Sequence, residues 1–135
     1  MENLDSICVR LRSMKPGEAS EWLLQNFPSN DPSYGAVFDI IPKISWRKND
    51  QEKLAKYYLK GMPFANGRAY TALSKIMSLD RFLTVAEECM PQEKGDVELA
   101  LYYLMPALNG VIKSDSDRVR LDSFVAKYAG GMGHG

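Results

Sequence analysis

Acidic side chains concentrate in one short stretch of the chain, at Glu87, Glu88, Glu93, Asp96 and Glu98. Three interpretations of this stretch are open. Carboxylates near the N-terminus of a helix stabilise it, because that end of the helix dipole is positive. The first interpretation is therefore a solvated acidic loop. The stretch could also be a docking patch for a basic partner, or it could hold the two carboxylates of a hydrolase. We assign these five residues to a predicted partner-binding site.

Other groups that catalyse reactions are scarce in this sequence. His134 is the single histidine and lies in a glycine-rich tail, where nothing holds it within reach of a reacting group. No Ser-His-Asp or Cys-His arrangement and no phosphate-binding glycine loop is present. Cys8 and Cys89 lie far apart in apolar segments and outside any CxxC motif, which is typical of buried, reduced thiols. The sequence therefore predicts no enzyme activity, no metal and no cofactor.

Adjacent tyrosines occur twice, as Tyr57-Tyr58 and as Tyr102-Tyr103. Neighbours on a helix point about 100° apart, so one member of each pair is expected near the core and the other near the surface. We predict that Tyr57 and Tyr103 are the exposed members and serve as anchors for a partner, although ordinary packing explains them equally well. Trp46, in a link between two helices, has the same two interpretations.

Composition places the chain among globular proteins and sets limits on its partners. It has 135 residues, of which 45% are hydrophobic and 25% charged, which suits one domain with a real core. Lys+Arg and Asp+Glu both number 17, so the basic excess usual in nucleic-acid-binding proteins is missing and no direct nucleic-acid contact is expected. The sequence has no basic leader and no apolar run of about 18 residues, so we expect a cytoplasmic protein without a membrane contact.

Apolar residues recur at helical spacing along the whole chain, and no segment alternates as a strand would. Caps and breaks divide this pattern into about eight short helices, with starts or ends at Asn3, Pro16, Pro28, Asp31-Pro32, Ile44, Asn49 or Asp50, Gly61, Asn66-Gly67, Ser78, Pro91, Gly95-Asp96, Ser114 and Gly130-Gly131. Proline inside two of them, Pro42 and Pro106, predicts kinks. The predicted fold is all-α, as a single helical domain over residues 1–129 with a flexible glycine-rich tail over 130–135.

The seventh predicted helix is apolar nearly all round, which predicts that it is the most buried one. Leu101, Leu104 and Leu108 are its expected core residues. Within it, Leu99–Leu104 repeats the segment Leu54–Leu59 at five of six positions, with an offset of 45 residues. Repeats of about 40–47 residues built from helix pairs are typical of HEAT and armadillo solenoids. The architecture is therefore predicted to be a HEAT-like helix-pair solenoid, or else a compact orthogonal bundle.

With its small size, its proline-containing helices and the echoed segments 54–59 and 99–104, the chain resembles the small helical immunity proteins of bacterial toxin–immunity systems, such as contact-dependent growth inhibition. The resemblance implies a stoichiometric inhibitor that occludes the active site of a toxin domain. We expect that toxin to be a basic nuclease, since nucleases bind polyanions. The resemblance carries over no individual residue. The alternatives are a HEAT-like adaptor or regulatory subunit without inhibitory activity, and an enzyme with unrecognised carboxylates.

Overall fold

The computed structural model describes residues 3–32 and 34–133, and this part of the chain is all-helical. Eight α-helices and no strand occur in it, which confirms the predicted fold class. The helices are α1 (Leu4–Arg12), α2 (Pro16–Asn26), α3 (Val37–Ile40), α4 (Lys48–Leu59), α5 (Arg68–Lys75), α6 (Leu79–Cys89), α7 (Lys94–Asn109) and α8 (Asp115–Gly133).

Side-chain caps begin several helices where the sequence predicts them. Ser78 Oγ accepts a hydrogen bond from the Arg81 amide at 3.2 Å and starts α6. At α8 there are two such bonds: Ser114 Oγ accepts from the Asp117 amide at 3.1 Å, and Asp117 Oδ2 accepts from the Lys113 amide, just before Ser114, at 3.0 Å. Each such bond satisfies a donor that the helix leaves open.

The start of α4 differs from the prediction. Neither Asn49 nor Asp50 caps it, because the helix begins at Lys48 with Arg47 as its N-cap. Asp50 lies inside the first turn and is buried, and its Oδ1 accepts a hydrogen bond of 2.8 Å from the hydroxyl of Ser20. This carboxylate joins α4 to α2 instead of capping its own helix.

The predicted kinked helix from Asp31-Pro32 to Ile44 is a shorter, broken element. Single 3₁₀ turns, Tyr34–Ala36 and Ile41–Lys43, flank the one regular turn of α3. Proline at position 42 has no N–H to donate and its ring opposes a further α-helical turn, so the α-helix ends at Ile40. At Ile44 the backbone already has an extended conformation.

The last helix continues beyond its predicted end. Gly130-Gly131 does not stop it, since α8 runs through Gly133. No described glycine has a positive φ, so these residues do not form the left-handed turn that usually ends a helix. Glycine weakens a helix by about 1 kcal/mol relative to alanine but does not block it sterically. The predicted tail therefore overlaps a helix, while His134 and Gly135 lie outside the described residues.

The helices stack in two layers. The principal contacts join helices that are two apart in the chain, so α1, α3, α5 and α7 form one layer and α2, α4, α6 and α8 form the other. Contacts between neighbours, such as α7 with α8, hold the layers together. Contacts between next-but-one helices are what stacked helix pairs produce.

The echoed segments do not mark the repeating unit of this stack. Helices of the second layer begin at Pro16, Lys48, Leu79 and Asp115, which are 32, 31 and 36 residues apart rather than 45. The two copies also lie in different layers, one in α4 and one in α7. Equivalent letters have different environments, since Leu54 is fully buried and Leu99 is 40% exposed. The similarity reflects shared apolar composition.

Helix α7 packs its predicted core residues inward but is not enclosed. Leu101, Leu104 and Leu108 are all buried, as predicted. In contrast, Tyr102 is 70% exposed and Leu99 is 40% exposed, so the prediction that this helix is the most buried one is wrong. The reason is its place in the stack: α7 is the last helix of its layer, and within the described residues no later helix of that layer covers it.

Trp46 is buried and donates Nε1–H to the Ile41 carbonyl at 2.9 Å, so it acts as a staple inside the fold.

Candidate functional site

The predicted acidic stretch spans the end of α6 and the start of α7, and its five carboxylates fall into two groups. Glu87 belongs to the fold. Its carboxylate contacts Arg120 and Lys127, each at 3.1 Å, and so ties α6 to α8. Burial raises the pKa of Glu87, but hydrogen bonds from Lys127 and Arg120 outweigh burial and hold the pKa below its ordinary value. This carboxylate is already neutralised and offers little to a partner.

The remaining acidic residues are available on the surface. Glu88 approaches Lys56 only to 3.9 Å, and both side chains are about half exposed. Glu93, Asp96 and Glu98 form no hydrogen bond or ion pair through their carboxylates with any residue in the described ranges. Glu93 and Glu98 are exposed and Asp96 is half-buried. Three unpaired carboxylates therefore surround the N-terminal end of α7.

The predicted tyrosine anchors are not the exposed ones. Tyr57 is half-buried, and its hydroxyl accepts a hydrogen bond from the Ser29 amide at 3.0 Å. Tyr103 is half-buried as well and packs edge-to-face against Tyr102, with ring centroids 4.9 Å apart. The exposed tyrosine is Tyr102. The prediction that Tyr57 and Tyr103 are exposed was wrong, because the sequence does not show which tyrosine of an adjacent pair faces solvent.

Tyr102 belongs to a continuous exposed strip that we call the α7 outer face, formed by Glu98, Leu99, Tyr102 and Pro106. These positions recur every three or four residues and so share one side of the helix. Leu99 and Tyr102 are two of the four large apolar side chains that are exposed in the described part of the chain. The α7 outer face is thus apolar and aromatic at its centre and acidic at its N-terminal end.

A second charged region lies at the N-terminal end of α6. The 11 residues of this helix separate it by about 16 Å from the acidic stretch at the C-terminal end. Four links meet at one edge of the stack: those between α1 and α2, α3 and α4, α5 and α6, and α7 and α8. Contacts between them include the hydrogen bond of 3.0 Å from Arg12 Nη2 to the Lys43 carbonyl. The cations of this edge are Arg12, Lys15, Lys43, Arg47, Lys48, Lys75, Arg81 and Lys113. We call it the basic edge.

The basic edge was missed by sequence reasoning. The chain has no net charge, and each link contributes only one to three cations. Only the two-layer stack brings four distant links to one side. Arg120, which the sequence analysis did not single out, bridges Asp80 at 2.7 Å and Glu87 at 3.1 Å.

A groove of about 790 Å³ lies beside the first turns of α2. Trp22 and Met14 supply apolar walls, while Glu18, Glu21 and Arg47 bring charges of both signs. Glu21 is already paired with Lys53. None of the predicted acidic residues lines this groove, so it does not unite them into a catalytic pair.

No group of three or more His, Cys, Asp or Glu side chains in the described ranges is arranged to hold a metal ion. None of the described helices combines the length and apolar character that crossing a bilayer requires.

No protein-family model, curated protein or solved structure matches this chain.

Proposed function

We propose that this chain is a protein-binding inhibitor, an immunity protein that neutralises a toxin domain by covering its active site. The observation that carries the proposal is the α7 outer face, where an exposed tyrosine and leucine adjoin three unpaired carboxylates. Exposed tyrosine is a frequent energetic anchor of protein interfaces, and unpaired carboxylates attract a basic partner over a distance. A basic partner is what a nuclease presents, because its active cleft binds a polyanion.

The stacked helix pairs support the same proposal. Such a stack presents long, rigid faces to a partner, and in the described part of the chain no further helix pair covers the outer face of α7. Rigid faces lose little conformational entropy on binding. We place the inhibitor in the bacterial cytoplasm, where an incoming toxin acts, and assign it no catalytic role of its own.

The proposal predicts a gene for a large secreted protein with a variable C-terminal domain directly upstream of the gene for this chain. Co-expression with that C-terminal domain should restore growth and give a stable one-to-one complex. Full toxicity with no detectable complex would contradict an inhibitory role. A complex that leaves toxicity unchanged would instead favour the adaptor.

Variants of the α7 outer face test where the partner binds. Tyr102→Ala should weaken the complex by about 2 kcal/mol or more, mainly through faster dissociation. Glu93→Lys with Glu98→Lys should slow association and reduce its dependence on salt. Val119→Ala on α8 is the matched control, because Val119 is 64% exposed but lies outside the face. Equal effects of Tyr102→Ala and Val119→Ala would place the interface elsewhere.

A further inference from the structure

A groove of about 500 Å³ in the basic edge gathers four cations from four separate elements. Lys48 begins α4, Lys75 ends α5, Arg81 lies in the first turn of α6 and Lys113 lies in the link before α8. Ile76 and Met77 supply its apolar surface, Gln51 and Ser78 add polar groups, and no carboxylate lines it. We call this the lysine groove.

The lysines of this groove are unpaired. Arg81 is held by Glu52 at 3.0 Å, by Gln51 at 2.6 Å and by the Lys48 carbonyl at 2.9 Å, so it forms a fixed wall. Lys48, Lys75 and Lys113 are exposed, and their ammonium groups form no ion pair within the described part of the chain. An adjoining groove of about 370 Å³ contains Asp117, whose Oδ2 already accepts a hydrogen bond from the Lys113 amide.

Local helix electrostatics does not explain these positions. A cation at the C-terminal end of a helix is favourable, and Lys75 has that reason to occupy the last turn of α5. A cation at the N-terminal end is unfavourable, yet Lys48 is the first residue of α4 and Lys113 directly precedes the capping residue of α8. Carboxylates in the same first turns, Asp50 in α4 and Asp115 and Asp117 in α8, offset this cost locally, but none of them lines the groove.

We propose that the lysine groove binds a phosphate-bearing ligand. The ligand is either a free polyphosphate group, as in a nucleotide, or the phosphodiester backbone of RNA. A phosphate carries its charge on several oxygens, so it can accept hydrogen bonds from more than one ammonium group at once. This proposal is independent of the α7 outer face, since it concerns the opposite end of α6.

The test measures binding of the intact chain to two probes, sodium tripolyphosphate by calorimetry and a fluorescent single-stranded oligouridylate by anisotropy. Lys48→Gln, Lys75→Gln and Lys113→Gln are combined in one variant. Its matched control carries Lys56→Gln, Lys60→Gln and Lys94→Gln, which remove the same charge from exposed positions away from the groove. Circular dichroism checks that both variants are folded.

The groove variant should bind at least about tenfold more weakly than the control. With the oligouridylate, the slope of log K against log salt should fall by about 2, at roughly 0.7 per lost phosphate contact. Tight binding of tripolyphosphate alone identifies a small polyphosphate ligand, and binding of the oligouridylate identifies RNA; either supports the proposal.

Three results would overturn it. The first is that neither probe binds near physiological salt. The second is that the two triple variants weaken binding of the probes equally. The third is that poly-glutamate binds as tightly as the probes, which would mean that the groove recognises acidic protein. Should the triple variant fail to fold, Lys113→Gln alone, from the link before α8, gives the same comparison against Lys94→Gln.

Discussion

At the scale of single residues, two buried tyrosines show how much a hydroxyl depends on its partner. Tyr58 and Tyr70 are both at most 1% exposed. The Tyr58 hydroxyl donates to the Phe27 carbonyl at 2.9 Å. The Tyr70 hydroxyl forms no hydrogen bond of ordinary geometry with the described residues, although the Phe64 backbone lies close enough to offset part of the rise in its pKa. Burial raises the pKa of Tyr70 to about 12 and that of Tyr58 well above its usual range, so both stay protonated at neutral pH.

Replacing each of these tyrosines by phenylalanine should therefore have different effects on the free energy of unfolding. Tyr58→Phe leaves the Phe27 carbonyl without its donor and should cost about 1 kcal/mol. Tyr70→Phe removes a desolvated hydroxyl and should leave stability unchanged or raise it by up to about 1 kcal/mol. Urea denaturation measures both. A larger loss for Tyr70→Phe than for Tyr58→Phe would contradict this account.

Residue-level sequence reasoning succeeded where one side chain determines the outcome. Ser78 and Ser114 were correctly predicted to begin helices. In the structure their hydroxyls accept hydrogen bonds from the amides three residues ahead. It failed for Tyr102 and Tyr103, because adjacent identical residues differ only in the direction that the helix gives them. That direction depends on where α7 packs.

At the scale of helices, α6 and α8 are joined by a network of ion pairs. Arg120 bridges Asp80 and Glu87, and Lys127 adds a second cation to Glu87. The side chains of Arg120 and Glu87 are 26% and 24% exposed, so solvent screens their interaction less than it screens a surface pair. Burial lowers the pKa of Arg120, but the hydrogen bonds that its guanidinium donates to Asp80 and Glu87 outweigh burial and raise the pKa, so Arg120 stays charged.

This network should make stability depend on pH in the acidic range. The folded-state pKa of Glu87 lies below its ordinary value of 4.5, so the unfolded chain takes up its proton first as the pH falls. The stabilisation is complete above the unfolded pKa and is lost as the pH falls through the folded pKa. Glu87→Gln should cost about 1 kcal/mol at pH 7 and much less at pH 3.

Urea denaturation at the two pH values measures this effect. Glu88→Gln is the control, since Glu88 is half exposed and lies 3.9 Å from Lys56, its ion-pair partner among the described residues. It should change stability by less than about 0.5 kcal/mol at either pH. A Glu87→Gln cost that is the same at pH 7 and pH 3 would mean that the carboxylate charge is not what joins α6 to α8.

At the scale of the whole molecule, stability depends on how each layer is packed. Leu104 is fully buried on α7, which contacts α5 in its own layer and α8 in the other. Leu104→Ala should cost about 2–5 kcal/mol, from lost burial and a residual cavity. Leu99→Ala removes the same atoms from a side chain that is 40% exposed and should cost less than about 1 kcal/mol. Thermal or urea denaturation distinguishes them, and similar losses would show that α7 is peripheral.

The overall class could be predicted from apolar spacing, but the arrangement could not. Spacing fixes which face of each helix is apolar, and it therefore indicated eight helices and the inward positions of Leu101, Leu104 and Leu108. The pairing of helices depends on contacts between segments that are distant in the chain. For that reason the echo of 54–59 in 99–104 was misleading, and the basic edge, assembled from four links, was missed.

The stacking of next-but-one helices also bears on how the chain reaches its native state. Each principal contact within a layer joins segments whose starts lie only about 30 residues apart, as the second-layer starts at Pro16, Lys48 and Leu79 illustrate. Loops of that length close at a small entropic cost, and proteins rich in such local contacts fold quickly. Docking of one pair onto the next creates the surface for the pair after it. The chain can therefore fold progressively during synthesis, before its last helix has left the ribosome.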